Sequence, residues 1–298
     1  MRKIVLFLSV FFVSILSAKG DLYLLDVENK SAKITPNSIE KVFVDDGFGV
    51  VVNSDMIKPF MIQFQKTDYE VFTLMTIYHK DLSIKLVQKY PQAGALTPLG
   101  VGIYQAKDDD RLHVSFLTAS GYKKVLGVDD KLIDELNTKV LDSLKKALPN
   151  AKLEISKEAI KTDKELITRY EVPIDEDGEE IEDVLFSLSN GLSMYGFVTP
   201  GTVDLAELMD DSIYDFYQGY SICKLPVIYT VSQTKPEASA FAPCTLAMYK
   251  KKGDDKLVME FPAVYNWISS ADIKDEPSLE QLLKAQEQFE AILEELME

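Results

Sequence analysis

Few side chains in this 298-residue chain have the means to do chemistry, and the two thiols, Cys223 and Cys244, come first. Paired, they would close a loop of about 20 residues, worth ~3 kcal/mol in the chain-entropy model. Unpaired, Cys244 would be a redox thiol, a soft-metal (copper-type) ligand, or a small buried hydrophobe. Met194, Met209, Met248 and Met259 could supply thioethers for copper beside Cys244, but they read first as core filler. The two histidines, His79 and His113, have no cysteine or carboxylate at a metal-ligand spacing. The acids Asp108, Asp109, Asp110, Asp254 and Asp255 do not follow EF-hand spacing and read as hairpin-turn residues. No phosphate loop, G-x-S-x-G elbow or H-E-x-x-H pair occurs. No metal site, cofactor or catalytic residue is therefore called for, and no hydrolase triad has a footing.

The elements that must position these groups occur twice. Residues 90–116 align without a gap on residues 235–261, at a spacing of 145. Pro91, Ala93, Ala95 and Pro98 match Pro236, Ala238, Ala240 and Pro243. Tyr104, Lys107, Asp109, Asp110, Leu112 and Phe116 match Tyr249, Lys252, Asp254, Asp255, Leu257 and Phe261. A spacing this long is that of whole domains, beyond the 20–50 residues of solenoid repeats.

Within each copy the alternation 99–104 and 112–116 (244–249 and 257–261) predicts a β-hairpin over a polar turn. Residues 21–27, 48–52 and 70–78 read as strands, as do 166–172, 192–198 and 220–231, the last interrupted by Pro226. Helices are predicted from Thr35-Pro36 to Gly47, from Ser54 or Asp55 to about 65, over 81–89 and over 131–148. The second copy adds helices ending at Gly191, over 203–217, and from about Pro277 to the end, with an acidic outer face. Alternating rather than continuous apolar strands favour an α+β fold: two tandem repeats, each an antiparallel sheet with helices packed on one face. The expected boundaries are 1–20 signal peptide, 21–149 first repeat, 150–165 exposed linker and 166–298 second repeat. The repeats are expected to meet as an intramolecular pseudo-dimer.

Strand alternation sorts the chemistry onto faces. Cys244, Leu246 and Met248 share one face, as do Leu99, Val101 and Ile103. The opposite face carries Gly100, Gly102 and Tyr104, and in the second copy Thr245, Ala247 and Tyr249. On the adjoining strand His113 and Ser115 correspond to Val258 and Glu260. Small residues beside a tyrosine leave room for close approach. Two readings fit: a ligand groove with Tyr104, His113, Tyr249 and Glu260 as polar handles, or a surface on which a helix or the other repeat packs.

The net charge is −16, which excludes nucleic acid as a partner and argues against docking on anionic lipid. Arg2 and Lys3, an apolar run over 4–16 and Ala18-Lys19-Gly20 have the form of a secretory signal peptide, too short for a comfortable membrane span. Cleavage after Gly20 would leave 29 basic against 48 acidic side chains, a net of −19. No stable membrane insertion is expected after cleavage, and the Lys-rich, Cys-poor body fits a bacterial periplasm or secretion.

The repeated stretch resembles the family called domain of unknown function 302, or TT1751-like. Ala242-Pro243-Cys244-Thr245 leading into Leu246-Ala247-Met248-Tyr249 matches the proline-cysteine motif that opens a hairpin strand in members of that family. Thr97-Pro98-Leu99-Gly100 leading to Tyr104 matches more loosely, and Leu99 replaces the motif cysteine. Ile77-Tyr78-His79-Lys80 and Tyr229-Thr230-Val231-Ser232 take the place of the family's upstream strand, without the cysteine that many members carry there. The resemblance covers 21–148 and 166–297. It implies the fold and leaves two-cysteine chemistry unsupported.

The expectation is a non-enzymatic, exported binding protein for an unidentified small molecule or protein partner. The competing class is a periplasmic thiol-dependent redox or soft-metal carrier using Cys244, and a third is an interaction scaffold.

Overall fold

The computed structural model describes residues 20–175 and 180–297; the expected signal peptide lies outside them. The first copy runs β1 (Leu22–Glu28), α1 (Pro36–Asp45), β2 (Phe48–Asp55), α2 (Ile57–Phe64), β3 (Tyr69–His79) and α3 (Leu82–Lys89). A 3-10 arm (Pro91–Leu96) then leads into β4 (Leu99–Ala106), β5 (Arg111–Leu117), α4 (Ala119–Leu126), α5 (Lys131–Ala147) and β6 (Lys152–Ile155). The second copy runs β7 (Ile167–Pro173), α6 (Ile181–Met194), β8 (Val198–Asp204), β9 (Tyr214–Cys223) and α7 (Leu225–Ser232). Its 3-10 arm (Pro236–Phe241) leads into β10 (Cys244–Lys251), β11 (Lys256–Pro262), α8 (Tyr265–Ser270) and α9 (Glu276–Glu295).

The sheets have matching strand order, β2-β3-β4-β5-β1-β6 and β8-β9-β10-β11-β7. Every described strand pairing is antiparallel. The chain is an α+β protein of two tandem copies. The spacing of 145 first seen in the hairpins holds for β1 and β7, β3 and β9, and the starts of α5 and α9; β8 and α7 are displaced from it, and α2 and β6 have no counterpart element.

Local chemistry accounts for most boundaries. Thr35 and Ser38 form a reciprocal capping box at α1, with Pro36 at its first turn, as the sequence predicts. Asp130 caps α5 and Asp275 caps α9 through side-chain acceptors. The core stripe of α5 is Ile133, Leu136, Val140 and Leu144, all buried. That of α9 includes Leu282, Phe289, Ile292 and Leu293.

Four expectations are corrected. The run 220–231 is not one strand: β9 ends at Cys223, and Pro226 sits in the first turn of α7, where its missing N–H costs nothing. The β-branched run Val227-Ile228 packs as helix because α7 lies on α9. Tyr229–Ser232 consequently belongs to a helix, and the counterpart of His79 is Lys224, the residue just past the end of β9. Gly191 does not end α6; a Cβ there would stand 2.8 Å from Ile292, so it is a close-contact position, and the chain turns at Gly196 with φ +73°. The residues read as a helix over 203–217 and a strand over 192–198 are instead the end of α6, then β8, a turn and β9. The stretch 150–165 is more than a linker, because β6 pairs with β1 and extends the first sheet.

Candidate functional site

The small-residue face is the junction between the copies. The second arm lies over β4 and β5, and the first lies over β10 and β11. A Cβ on Gly100 would fall on the Ala240 carbonyl oxygen, and one on Gly102 on the Ser239 hydroxyl. On the other side a Cβ on Gly94 would fall on the Tyr217 hydroxyl and stand 2.9 Å from the Ala247 Cβ. Hydrogen bonds cross in equivalent pairs. Tyr69 Oη donates to the Ser232 carbonyl, and its counterpart Tyr214 donates to the Val87 carbonyl at 3.3 Å. Thr76 and Ser221, also counterparts, touch each other through their hydroxyls at 3.3 Å. Thr245 Oγ1 donates to the Pro98 carbonyl at 2.9 Å. The groove expected across this face is therefore filled by protein, and packing is the reading that stands.

The four expected polar handles divide into two clusters. In the first copy the Tyr104 and His113 rings stack, with centroids 5.2 Å apart and 16° between planes. His113 Nε2 meets Asp109 Oδ2 at 2.9 Å, and Asp109 Oδ1 accepts from the Arg111 N–H. Burial, followed by the nearby Glu237 carboxylate, raises the Tyr104 hydroxyl far above its usual range, so it stays a neutral phenol. In the second copy Arg169 donates to Tyr249 Oη at 2.9 Å and to Glu260 Oε1 at 2.5 Å. Its other nitrogen bonds Glu171, which also takes Lys256. Those two cations hold Glu171 near 2, whereas burial raises Glu260 despite Arg169. In both clusters the side chains that looked like ligand handles engage one another, and Glu260 Oε2 alone of the carboxylate oxygens there is buried without a partner.

The other candidates are also placed. His79 Nδ1 accepts from the N–H groups of Asp81 and Leu82 at 3.2 and 3.3 Å, capping α3 with an unprotonated nitrogen. Burial lowers its pKa, consistent with that role. Met248 and Met259 are cross-strand partners in the core and Met209 is buried, while Met194 is exposed. No group of three His, Cys, Asp or Glu among the described residues could hold a metal.

An opening does exist in the second copy, on the opposite face of its sheet. Phe197, Val227, Ile228, Trp267, Leu282 and Phe289 line an apolar cavity of about 60 Å³ between the sheet and α7 and α9. Both cysteines reach its wall. Of all its lining residues only Lys224 and Cys244 are not buried, and they mark where it approaches the surface. Trp267 is 2% exposed, and its indole N–H finds no nitrogen or oxygen acceptor, only the weakly accepting sulfur of Cys244 beside it. In the first copy Tyr78, Leu99 and Tyr122 occupy the positions of Cys223, Cys244 and Trp267, and the Tyr122 hydroxyl donates to the Leu96 carbonyl at 3.2 Å. The Cys244–Leu99 difference is visible in the aligned repeats, and so is Trp267 opposite Tyr122. The signal was present as three neighbouring replacements of larger side chains or satisfied polar groups in one copy only.

Cys223 and Cys244 are free. Burial pushes both thiols up to about 12. Roughly one in 10⁴ would then be thiolate at pH 8, far below the fraction of an ordinary cysteine. The native protein is accordingly expected to react with Ellman's reagent at least a hundredfold more slowly than the unfolded chain, in which both thiols titrate at once. Rapid stoichiometric labelling of the native state would contradict this.

The fold and these sites define a tandem-duplicated α+β protein whose copies close on each other through two 3-10 arms. Among solved structures, one match is the crystal structure of the uncharacterized conserved protein DUF302 from Bacillus stearothermophilus, at 15% identity and a TM-score of 0.36. It covers 45% of this chain and 98% of that one. That protein carries the family designation that the Pro243-Cys244 stretch resembles. No family model matches the chain, and no curated protein does. No helix among the described residues is long and apolar enough to cross a membrane.

Proposed function

We propose that this is an exported, non-enzymatic binding protein, and that the second copy takes a small ligand with an apolar body into the Trp267 cavity. The observation that carries the reading is a partly open apolar cavity beside a buried indole N–H that has only the weak Cys244 sulfur as acceptor, at a place where the first copy has a Tyr122 hydroxyl bonded to a carbonyl. Interiors are otherwise close-packed, and buried donors are almost always paired. Export rests on the N-terminal Arg2-Lys3 and the apolar run that follows. The thiol-carrier alternative loses support because burial disfavours the thiolate that redox exchange and soft-metal ligation both need.

Trp267 is the chain's single tryptophan, so its fluorescence reports on this cavity alone. Titration with 1-butanol is expected to shift its emission saturably. Cys244→Leu, which copies the first repeat, should fill the space and abolish the shift without lowering stability. An unchanged emission in the wild-type chain would end this reading.

A further inference from the structure

We propose that the ligand of this cavity is a short-chain carboxylate, with its hydrocarbon end beside Trp267 and its carboxylate held by Lys224. The proposal rests on the cavity being the binding site, and it adds the chemical class of the occupant.

The lining sets the polarity. Besides the two thiols, its polar side chains are Lys224, Thr245 and Gln286. Thr245 is committed to the Pro98 carbonyl. Gln286 accepts from the Val264 N–H and donates to Thr168 and Glu290. Lys224 is left as the only charged group on the wall. Its Nζ lies 4.7 Å from the centre of the Phe197 ring and bonds the neutral side chain of Gln288. It forms no ion pair with any described carboxylate, although acids outnumber bases 48 to 32 in this chain. Burial, then the neighbouring Lys284, works against its charge. A bound anion would relieve both penalties. A lysine kept half-buried without a carboxylate, at the mouth of an apolar cavity, is poised for an anionic head on an apolar body.

Size and charge narrow the class. The cavity has about two-fifths of the ~150 Å³ that admits benzene, so it takes the end of a slim chain and excludes a ring. The one cation at the mouth, Lys224, balances a single negative charge, which matches a monoanionic carboxylate and leaves a phosphate dianion under-neutralised. The first copy has no equivalent: His79 stands in place of Lys224 and its ring caps α3.

The test compares butanoate, 1-butanol and butylamine by Trp267 fluorescence on the full chain. Butanoate is expected to bind at least about tenfold tighter than 1-butanol, the 1.4 kcal/mol scale on which a charge-assisted hydrogen bond exceeds a neutral one. Butylamine is expected to bind more weakly than either. Lys224→Gln should erase the preference for butanoate over 1-butanol, and Lys224→Arg should retain it. Equal affinity of the wild-type chain for butanoate and 1-butanol overturns the carboxylate assignment and leaves the cavity reading intact. Preference surviving in a folded Lys224→Gln chain, verified by its 1-butanol response, overturns the role of Lys224. Absence of any response to all three probes removes the cavity reading itself, and this proposal with it.

Discussion

Gly100→Ala is expected to destabilise the protein by about 3 kcal/mol, the upper part of the range for overpacking a tight interior. For a chain of this size that is a fall in Tm of roughly 6–12 °C. The added Cβ would land on the Ala240 carbonyl oxygen, which belongs to the backbone of the opposing arm and cannot swing aside like the end of a side chain. Gly102→Ala makes a still closer contact with a different neighbour, the Ser239 side chain, and stands 2.8 Å from Ser115 Oγ. A side chain can be removed, so Ser239→Gly should restore part of the stability lost in Gly102→Ala and none of that lost in Gly100→Ala. The residue at the equivalent place in the other arm is already glycine, Gly94. Thermal unfolding of the wild type, the two alanine variants and each of these combined with Ser239→Gly reads this directly. If Gly100→Ala melts with the wild type, the copies are not held as closely as the crossing hydrogen bonds require.

The second large effect concerns a charge. Arg169→Leu is expected to cost about 3 kcal/mol at pH 7, at the low end for stranding a buried charge because Arg169 is itself half-exposed. Glu260 has a side chain 3% exposed, one oxygen bonded to Arg169 and the other without a hydrogen-bond partner. Its folded pKa already lies above the usual carboxylate value through burial. The sign of the pH dependence follows. A carboxyl with a raised folded pKa contributes stability that is fully present below its unfolded pKa of ~4.3 and lost as pH rises through the folded value. Removing Arg169 raises the folded value further, so the deficit should be greatest near neutrality and shrink as the solution is acidified. The first copy shows how to repair the variant. The counterparts of Arg169 and Glu260 are Leu24 and Ser115, paired across β1 and β5. Arg169→Leu combined with Glu260→Ser should recover most of the loss, with a coupling energy of about 2 kcal/mol in a double-mutant cycle read by urea denaturation. Additive losses would show that the pair is not coupled.

Both effects arise at positions the sequence could name but not interpret. Gly100, Gly102, Tyr104, Tyr249 and Glu260 were assigned to one sheet face by alternation alone, and the register confirms that assignment. What covers the face was undecidable there, because a period of two tells which side a residue is on and nothing of what lies opposite. The misread region 192–231 failed for a different reason. Its short apolar and β-branched runs suit helix or strand equally, and Pro226, read as a strand interruption, is a helix start once α9 supplies a surface for α7.

The sequence by itself determined the duplication and its spacing of 145, the two hairpins, the capped helices and the α+β class. Each of these is set by contacts between near neighbours or by a pattern that survives copying. Only the tertiary structure decided that the small-residue faces close on each other through the 3-10 arms, that the tyrosine and acid handles engage one another, and that the space is left beside Trp267. Those outcomes depend on residues about 20 to more than 100 positions apart meeting in one place. Volume and partner, unlike periodicity, are properties of the assembled core.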